Sequence, residues 1–324
     1  MNNMQSKLDL KDKKLLFEMD FDSRRTYAEL ARKLRMSKRG VEYKINNLEK
    51  KGIISGYSPI INLQRLGYSY FRIFIKFQNL TKKIKSDIES YVRNRKKVGW
   101  FIWYHGFYDA GFTIWAKTVT EFKEEANEFY FKFHKNILNR LESISSEVNF
   151  YKSRYLLGNS SEDKIRIEEK SKEIEIDELD KKILRLLVHD PRLSLVNLSE
   201  KLKEQPKRIS YRIKRLCKEK VLLAIRPVVN HEIIGKIYYK VFIYLTNVSK
   251  EETRNLEENL EKDPRVIYNV KALGTGDLDI ELMVDSNQEF FDFIEKLEDK
   301  LPGAIKDYQS MILSKTVKSE FLPF

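Results

Sequence analysis

Cysteine is nearly missing from this chain of 324 residues, in which Cys217 is the single example. One thiol excludes an intramolecular disulfide framework, and it cannot supply a zinc site built from several cysteines. A reducing, intracellular setting is therefore the default expectation.

Long hydrophobic segments are missing too. No window approaches the roughly 18 uncharged, apolar residues that a membrane-spanning helix needs, and the opening segment MNNMQSKLDLKDKK has no apolar signal core. We therefore expect a cytoplasmic protein with no membrane partner.

The residues that carry most enzyme chemistry do not cluster in the sequence. The histidines are scattered, without a cysteine or carboxylate neighbour at metal-ligand spacing: His105, His134, His189 and His231. No phosphate-cradling P-loop occurs. These residues predict no catalytic group, no metal and no cofactor.

Acidic residues are outnumbered, with 48 Asp and Glu against 61 Lys and Arg, which leaves a net charge of +13. Such an excess favours a polyanionic partner, most simply nucleic acid.

Residues 26–54 have the pattern of two short helices separated by a tight turn. Apolar residues at helical spacing mark one face of each helix: Leu30, Ala31 and Leu34 in the first, and Val41, Ile45 and Leu48 in the second. Ser37 suits the start of the second helix, because its hydroxyl can accept a backbone N–H, and Gly52 suits its end. This is the layout of a helix-turn-helix, in which the exposed face of the second helix enters a DNA groove. The alternative is a helical pair whose basic face meets only water.

The sequence repeats itself at an offset of 168 residues, the difference between Asp180 and Asp12. Matching pairs include Arg24 with Arg192, Leu48 with Leu216, Pro59 with Pro227, and Gly67 with Gly235. Core positions agree in type while exposed positions differ, which indicates one fold present twice and a built-in pseudo-dimer.

Each repeat changes from helical to strand periodicity after its head. Apolar and other residues alternate at 68–78, helices are predicted at 82–95 and 121–141, two strands flank Gly106, and a last strand ends near Leu157. The fold class is therefore α+β: two repeats of a winged, three-helix helix-turn-helix head followed by a ferredoxin-like βαββαβ domain. The predicted boundaries are 8–58 and 66–157 for the first head and ferredoxin-like domain, 158–175 for a partly helical linker, and 176–226 and 234–321 for the second head and domain.

A ferredoxin-like sheet covers only one face with helices. The other face of each first strand carries aromatic residues such as Phe74 and Phe242. Because an exposed apolar face of that size marks an interface, we expect self-association through these sheets, within the chain or between chains.

The order of parts carries a resemblance to a known family. The Asp12 lead-in, the helix-turn-helix ending in Gly52, the Gly67 turn and the ferredoxin-like domain together resemble the Lrp/AsnC family of feast-or-famine transcriptional regulators, here as two fused copies. The resemblance covers nearly the whole chain apart from the linker. It implies heads that read double-stranded DNA, and RAM-type domains that oligomerise and sense an effector such as an amino acid.

The candidate DNA-binding residues lie on the exposed side of each third helix. They are Ser37, Lys38, Arg39, Glu42, Tyr43 and Asn46 in the first repeat, and Lys207, Arg208, Tyr211, Arg212, Lys214 and Arg215 in the second. Arg39 can offer a bidentate fork to guanine, and Asn46 can pair with adenine. In the second head Gln205 replaces the Ser cap, and the more basic face suggests stronger phosphate attraction with less base discrimination. The alternative is that this head only packs.

The implied effector site is a glycine-rich turn. Its candidate residues are Gly274, Gly276, Asp277 and Asp279 in the second repeat, and Gly106 and Asp109 in the first. Backbone N–H groups freed by glycine can hold a carboxylate, and an aspartate can hold an ammonium. In the first repeat, we expect Tyr104 at the position that Gly274 holds in the second. A tyrosine there restricts the turn, so we expect the effector to bind at the second repeat. The alternative is a turn that needs glycine for its geometry alone.

Two other functions remain open. The charge permits an architectural DNA-binding protein of low specificity, which the ratio of specific to non-specific affinity would reveal. A relative of the family decarboxylates a haem precursor, so an enzyme is the other alternative. It would need His105 or His134 to face a large apolar cleft.

Overall fold

The computed structural model describes residues 8–159, 161–169, 172–320 and 322–324. Residues 160, 170 and 171 of the predicted linker and residue 321 of the last predicted domain lie outside the described residues.

The first head contains three helices. They are α1 (Leu10–Met19), α2 (Tyr27–Leu34) and α3 (Lys38–Lys50). Thr26 and Glu29 form a capping box on α2, and the Ser37 hydroxyl accepts the Gly40 N–H at 3.0 Å, so local sequence sets both starts.

The ferredoxin-like part of the first repeat follows strand β1 (Ile54–Ile61). Its elements are β2 (Ser69–Phe77), α4 (Lys82–Arg93), β3 (Val98–Gly106), β4 (Ala110–Ala116), α5 (Val119–Phe133) and β5 (Ile137–Tyr151). The prediction that the second helix reaches residue 141 is wrong. Residues 137–145 instead pair with the free edge of β2, which satisfies their backbone groups as a strand.

The predicted linker contains a strand, β6 (Lys164–Glu168), which corrects the expectation of helical content there. It pairs with the end of β5, with Tyr151 opposite Lys164. Ile165 and Ile167 alternate with charged residues, and Ile167 packs in a small cluster with Val148 of β5. This short period-two pattern is typical of a strand.

The second repeat has the same order of elements. They are α6 (Glu178–His189), α7 (Leu195–Leu202), α8 (Pro206–Lys218), β7 (Leu222–Val229), β8 (Ile237–Leu245), α9 (Lys250–Lys262), β9 (Val266–Leu273), β10 (Leu278–Val284), α10 (Asn287–Lys300) and β11 (Ile305–Ser319). Among the helices in the described ranges, none has the length and apolar character that crossing a bilayer requires.

The two ferredoxin-like sheets join into one closed barrel. The hydrogen-bonded order is β2-β4-β3-β11-β8-β10-β9-β5, and β5 returns to β2, while β6 extends the edge of β5. The repeats meet at two antiparallel seams, β3 with β11 and β5 with β9. The helices α4 and α5 cover the outside of the first repeat's strands, and α9 and α10 cover the second's.

The bare sheet faces therefore meet within one chain, as expected, but as the interior of a barrel closed by edge pairing. Phe74 and Phe242 are both buried there, with ring centroids 4.9 Å apart in an edge-to-face arrangement. A barrel removes the sheet edges that two separate sheets would leave unpaired.

A second, two-stranded sheet connects the heads. It pairs β1 with β7 in antiparallel register, with Ser58 opposite Arg226. The strand after each third helix thus pairs with its counterpart from the other repeat, so both heads rest on one ribbon above the barrel.

Candidate nucleic-acid interface

In the first head, packing decides which side of α3 faces outward. Val41, Ile45 and Leu48 are buried against the other two helices. All six residues predicted to bind DNA are exposed: Ser37, Lys38, Arg39, Glu42, Tyr43 and Asn46. Tyr43 is 71% exposed, an unusual state for a large aromatic side chain without a partner. The start of α3 therefore presents hydrogen-bonding, cationic and aromatic groups on one surface.

Lys44 holds α3 against α1. Its ammonium lies 2.8 Å from the Asp9 carboxylate and 2.7 Å from that of Asp12. Burial alone would lower the pKa of Lys44, but the hydrogen bonds to the two carboxylates outweigh it and raise the pKa. This lysine orients the helix and is not available to a ligand.

Two residues of the second head hold their helix in place as Lys44 does in the first head. This corrects the prediction that Arg212 and Arg215 contact DNA. Arg212, the counterpart of Lys44, lies 2.8 Å from Asp177 and 3.3 Å from Asp180, and Arg215 lies 3.2 Å from Asp180. Arg215 also donates to the Glu175 carbonyl at 3.1 Å. Both guanidiniums fix α8 to α6, because Asp180 is fully buried and a buried carboxylate is costly without a cation beside it.

The other predicted residues of the second head are exposed. These are Lys207, Arg208, Tyr211 and Lys214. Tyr211 is 66% exposed and is the counterpart of Tyr43. Arg208 pairs with Glu204 at 2.8 Å, but more than half of its side chain meets water, so the pair contributes little and can open toward another anion. Gln205 makes no capping hydrogen bond, and Pro206 occupies the first helical position, where its missing N–H costs little.

The two heads contact each other through a pair of matching arginines. Arg24 donates to the Pro191 carbonyl at 3.1 Å, and Arg192, its counterpart, donates to the Tyr57 hydroxyl at 2.8 Å. With the shared ribbon, these reciprocal contacts set the position of one recognition helix relative to the other.

At the predicted effector turns, the expected match of Tyr104 with Gly274 is wrong. The counterpart of Gly274 is Gly106: both have positive φ, 94° and 145°, and both lie against a strand of the other repeat. A Cβ would overlap the Glu142 carbonyl oxygen at Gly274 and that of Ser310 at Gly106. Close strand approach therefore explains both glycines. Two positions differ between the turns: Thr275 stands where the first repeat has Phe107, and Gly276 stands where it has the buried Tyr108.

The turn aspartates hold strand ends. Asp109 accepts the Phe77 N–H at 2.8 Å, and Asp277 accepts the Leu245 N–H at 2.7 Å. These matching bonds have a structural explanation in each repeat.

Asp279 is not at the turn surface at all, which removes it as an effector ligand. It is fully buried in the barrel, where its carboxylate lies 2.6 Å from Arg72 and also binds Lys240. Burial would raise the pKa of Asp279, but the two cations outweigh it and hold the pKa below the usual range. Lys240 also binds Glu281 at 3.0 Å, and Arg72 donates to Ser143 at 2.9 Å.

This buried charge cluster, formed by Arg72, Lys240, Asp279 and Glu281, was missed from the sequence. Arg72 and Lys240 are counterparts, each on the inward face of its repeat's first strand. The two carboxylates come from β10 alone, because the first repeat has Gly111 and Thr113 at their positions. A cation in the middle of each apolar strand was the signal that could have indicated it.

The candidate histidines do not face a cleft that the structure describes. His105 is exposed on β3, and the His134 ring lies 2.8 Å from the Phe131 carbonyl on the surface. Within the described ranges no group of three or more His, Cys, Asp or Glu side chains could hold a metal ion.

Two helix-turn-helix heads on one ribbon and barrel define a tandem helix-turn-helix protein. A family model described as an AsnC-type helix-turn-helix domain matches residues 176–216, and one described as winged helix-turn-helix DNA-binding matches residues 8–55. An uncharacterised helix-turn-helix transcriptional regulator of Pyrococcus horikoshii is 29% identical over 148 residues, 46% of this chain and 92% of that protein. The transcriptional regulator LrpA of the same organism is 41% identical over 66 residues, 20% of this chain and 47% of that protein. These matches show that both heads are similar to helix-turn-helix transcriptional regulators, and that the second head is similar to the AsnC type.

The whole fold has a solved counterpart as well. The crystal structure of the siroheme decarboxylase NirDL has a TM-score of 0.62 and 13% sequence identity, covering 97% of this chain and 94% of that one. At this identity the likeness shows a shared fold and carries no statement about the reaction.

Proposed function

We propose that this protein is a sequence-specific DNA-binding transcriptional regulator that uses both heads. The observation that carries the proposal is the exposed start of each third helix, with Tyr43 and Tyr211 at matching positions on otherwise well-packed heads. The two helix-turn-helix matches and the regulator relatives support it.

The two heads are expected to divide the work of recognition. In the first, Arg39 and Asn46 carry base readout, while Ser37 and Lys38 suit phosphate. In the second, Lys207, Arg208 and Lys214 supply positive charge without a side-chain amide nearby on α8. Phosphate contacts position a protein, and base contacts specify the site.

An effector site at the Gly274–Asp277 turn of the second repeat belongs to the same proposal. Supporting it, the Thr275 hydroxyl is buried and has no hydrogen-bond partner in the described part of the chain. A small effector with a carboxylate and an ammonium, such as an amino acid, would suit the turn's N–H groups and the exposed Asp277.

The test compares two variants in a randomised-site DNA selection followed by titration at several salt concentrations. Arg39→Ala should weaken specific binding by about 1–3 kcal/mol and relax preference at one base position. Lys214→Ala should weaken all sequences alike and lower the salt slope by about one. Selection of no motif by the wild type would indicate an architectural DNA-binding protein, and an unchanged motif for Arg39→Ala would remove Arg39 from base readout.

Decarboxylation of a haem precursor is the second candidate, which the family resemblance leaves open; the fold shared with NirDL does not decide between it and the regulator. A porphyrin titration followed by absorbance separates it from the first. A Soret shift that saturates at one porphyrin per chain would support the enzyme, and its absence would leave the regulator.

A further inference from the structure

A polar cleft of about 300 Å³ lies where the second head, the ribbon and the barrel edge meet. Its walls come from the segment after β1, from β6, and from the end of α8 and the start of β7. The lining residues are Asn62, Arg65, Arg166, Glu168, Lys218, Lys220 and Leu223. It is separate from the Gly274–Asp277 turn and from the starts of the recognition helices.

The cleft has an excess of positive charge, four cations against one carboxylate. Both arginines already have carboxylate partners. Arg166 lies 2.6 Å from Glu168 and also pairs with Glu147, and Arg65 donates to the Glu219 carbonyl at 3.0 Å with the Glu219 carboxylate 3.7 Å away. Lys218 and Lys220 form no ion pair with any residue in the described ranges. The remaining charge therefore attracts an anion.

Asn62 supplies a hydrogen-bonding group that lacks a partner. It lines the cleft, only 4% of its surface is exposed, and its Oδ1 has no hydrogen bond to a described residue. In the second repeat the same atom of Asn230 accepts the Ile233 N–H at 3.2 Å. A buried acceptor without a partner is costly, so a donor from a ligand would stabilise Asn62.

Two of the cations have no counterpart at the matching place in the other repeat. Arg65 stands where the other repeat has Ile233, and Lys220 stands where it has Gly52. Both Gly52 and Lys220 adopt left-handed backbone, with φ of 69° and 54°. A lysine is disfavoured in that conformation relative to glycine, so Lys220 stands against the local backbone preference.

The cleft lies far from the end of α8 that reads DNA. The helix runs over 13 residues from Pro206 to Lys218, and a rise of 1.5 Å per residue separates its ends by about 18 Å. The cleft is therefore a separate place from the start of α8, where the candidate DNA contacts lie.

We propose that the cleft binds a small metabolite that carries clustered carboxylate or phosphate groups together with a hydroxyl or amine. Lys218, Lys220 and Arg65 hold the anionic groups, and Asn62 accepts a hydrogen bond from the donor. Because the bound molecule contacts the second head and β6 of the barrel at once, it couples the two. Binding itself does not rest on the DNA-binding function.

The test is calorimetric titration of the full-length chain at low ionic strength with citrate, tricarballylate and pyrophosphate. Tricarballylate is citrate without its hydroxyl, so it isolates the contribution of Asn62. Citrate should bind more tightly than tricarballylate, and Asn62→Leu should abolish that difference. Arg65→Ile and Lys220→Gly, which restore the other repeat's residues, should each weaken citrate and pyrophosphate about tenfold. Lys50→Ala, at the counterpart of Lys218, should leave binding unchanged.

Lys220→Gly is the decisive variant, because glycine suits the left-handed backbone and the protein should remain folded, as far-ultraviolet circular dichroism would verify. No binding of any probe by the wild type, or equal binding by the wild type and all cleft variants, would overturn the proposal. A duplex oligonucleotide serves as the other source of phosphate. If Lys220→Gly weakens only the duplex, these lysines belong to the DNA interface and the cleft site is wrong.

Discussion

Replacing Asp279 by asparagine tests the buried charge cluster directly. The carboxylate is fully buried and binds both Arg72 and Lys240, which are themselves almost completely buried. An amide keeps the shape but removes the charge, and it turns an N–H₂ group toward a cation. One positive charge is then left in the barrel without compensation.

The expected cost follows from that uncompensated charge. Removing one partner of a buried ion pair destabilises a protein by about 3–5 kcal/mol. With an unfolding entropy of about 2.1 cal/mol/K per residue, this corresponds to a loss of about 4–7 °C in Tm if the 324 residues unfold together. Asp285, which pairs with Lys236 at 2.7 Å while 71% of its side chain is exposed, offers the matched control. Asp285→Asn should cost about 0–1 kcal/mol.

Urea unfolding followed by tryptophan fluorescence measures the effect where it occurs, because all three tryptophans, Trp100, Trp103 and Trp115, lie on β3 and β4 of the barrel. Adding Arg72→Met to Asp279→Asn removes one cation and restores neutrality, so the double variant should be more stable than additivity predicts. A loss below about 1 kcal/mol for Asp279→Asn, or strict additivity with Arg72→Met, would refute the electrostatic argument.

Two further predictions concern stability. Burial lowers the pKa of His231 below its usual 6.5, so the unfolded chain binds a proton there that the folded chain resists. The free energy of unfolding should therefore fall as pH drops below about 6.5. In urea titrations at pH 5 to 7, His231→Gln should make this dependence of the unfolding free energy on pH less steep. An unchanged dependence would contradict the role given to His231. Phe242→Asp places a charge against Phe74 in the barrel and should cost several kcal/mol and expand the chain in size-exclusion chromatography, while Phe242→Leu should stay compact. Equal elution of both variants would show that this contact does not hold the barrel closed.

Local sequence signals were sufficient for the heads. The bounds of α2 and α3 follow from the caps at Thr26 and Ser37 and from apolar residues at helical spacing, all within a few residues of one another. The strand pattern of β2 and β8 was equally local. Such features are predictable because the groups that decide them are close in sequence.

Features decided by distant partners were not predictable in the same way. Residues 137–141 have apolar side chains compatible with a helix, and only the open edge of β2 makes them a strand. Arg212 and Arg215 look like exposed cations on α8 until Asp180, more than 30 residues away, is found beside them. Closure of the barrel depends on seams between residues more than 100 positions apart, such as Met311 with Gly106.

The buried charge cluster also bears on how the repeats pair. A barrel of two first repeats would enclose two copies of Arg72 and no carboxylate, and a barrel of two second repeats would enclose two lysines with four carboxylates. Only the mixed pair has two cations and two carboxylates, so buried charge favours the arrangement seen within one chain. The heads on that barrel are then always one of each kind. Since a symmetric operator mirrors a symmetric dimer, a protein with one amide-bearing and one more basic recognition helix is expected to select a site whose two halves differ. A palindromic motif from the randomised selection would contradict this reasoning.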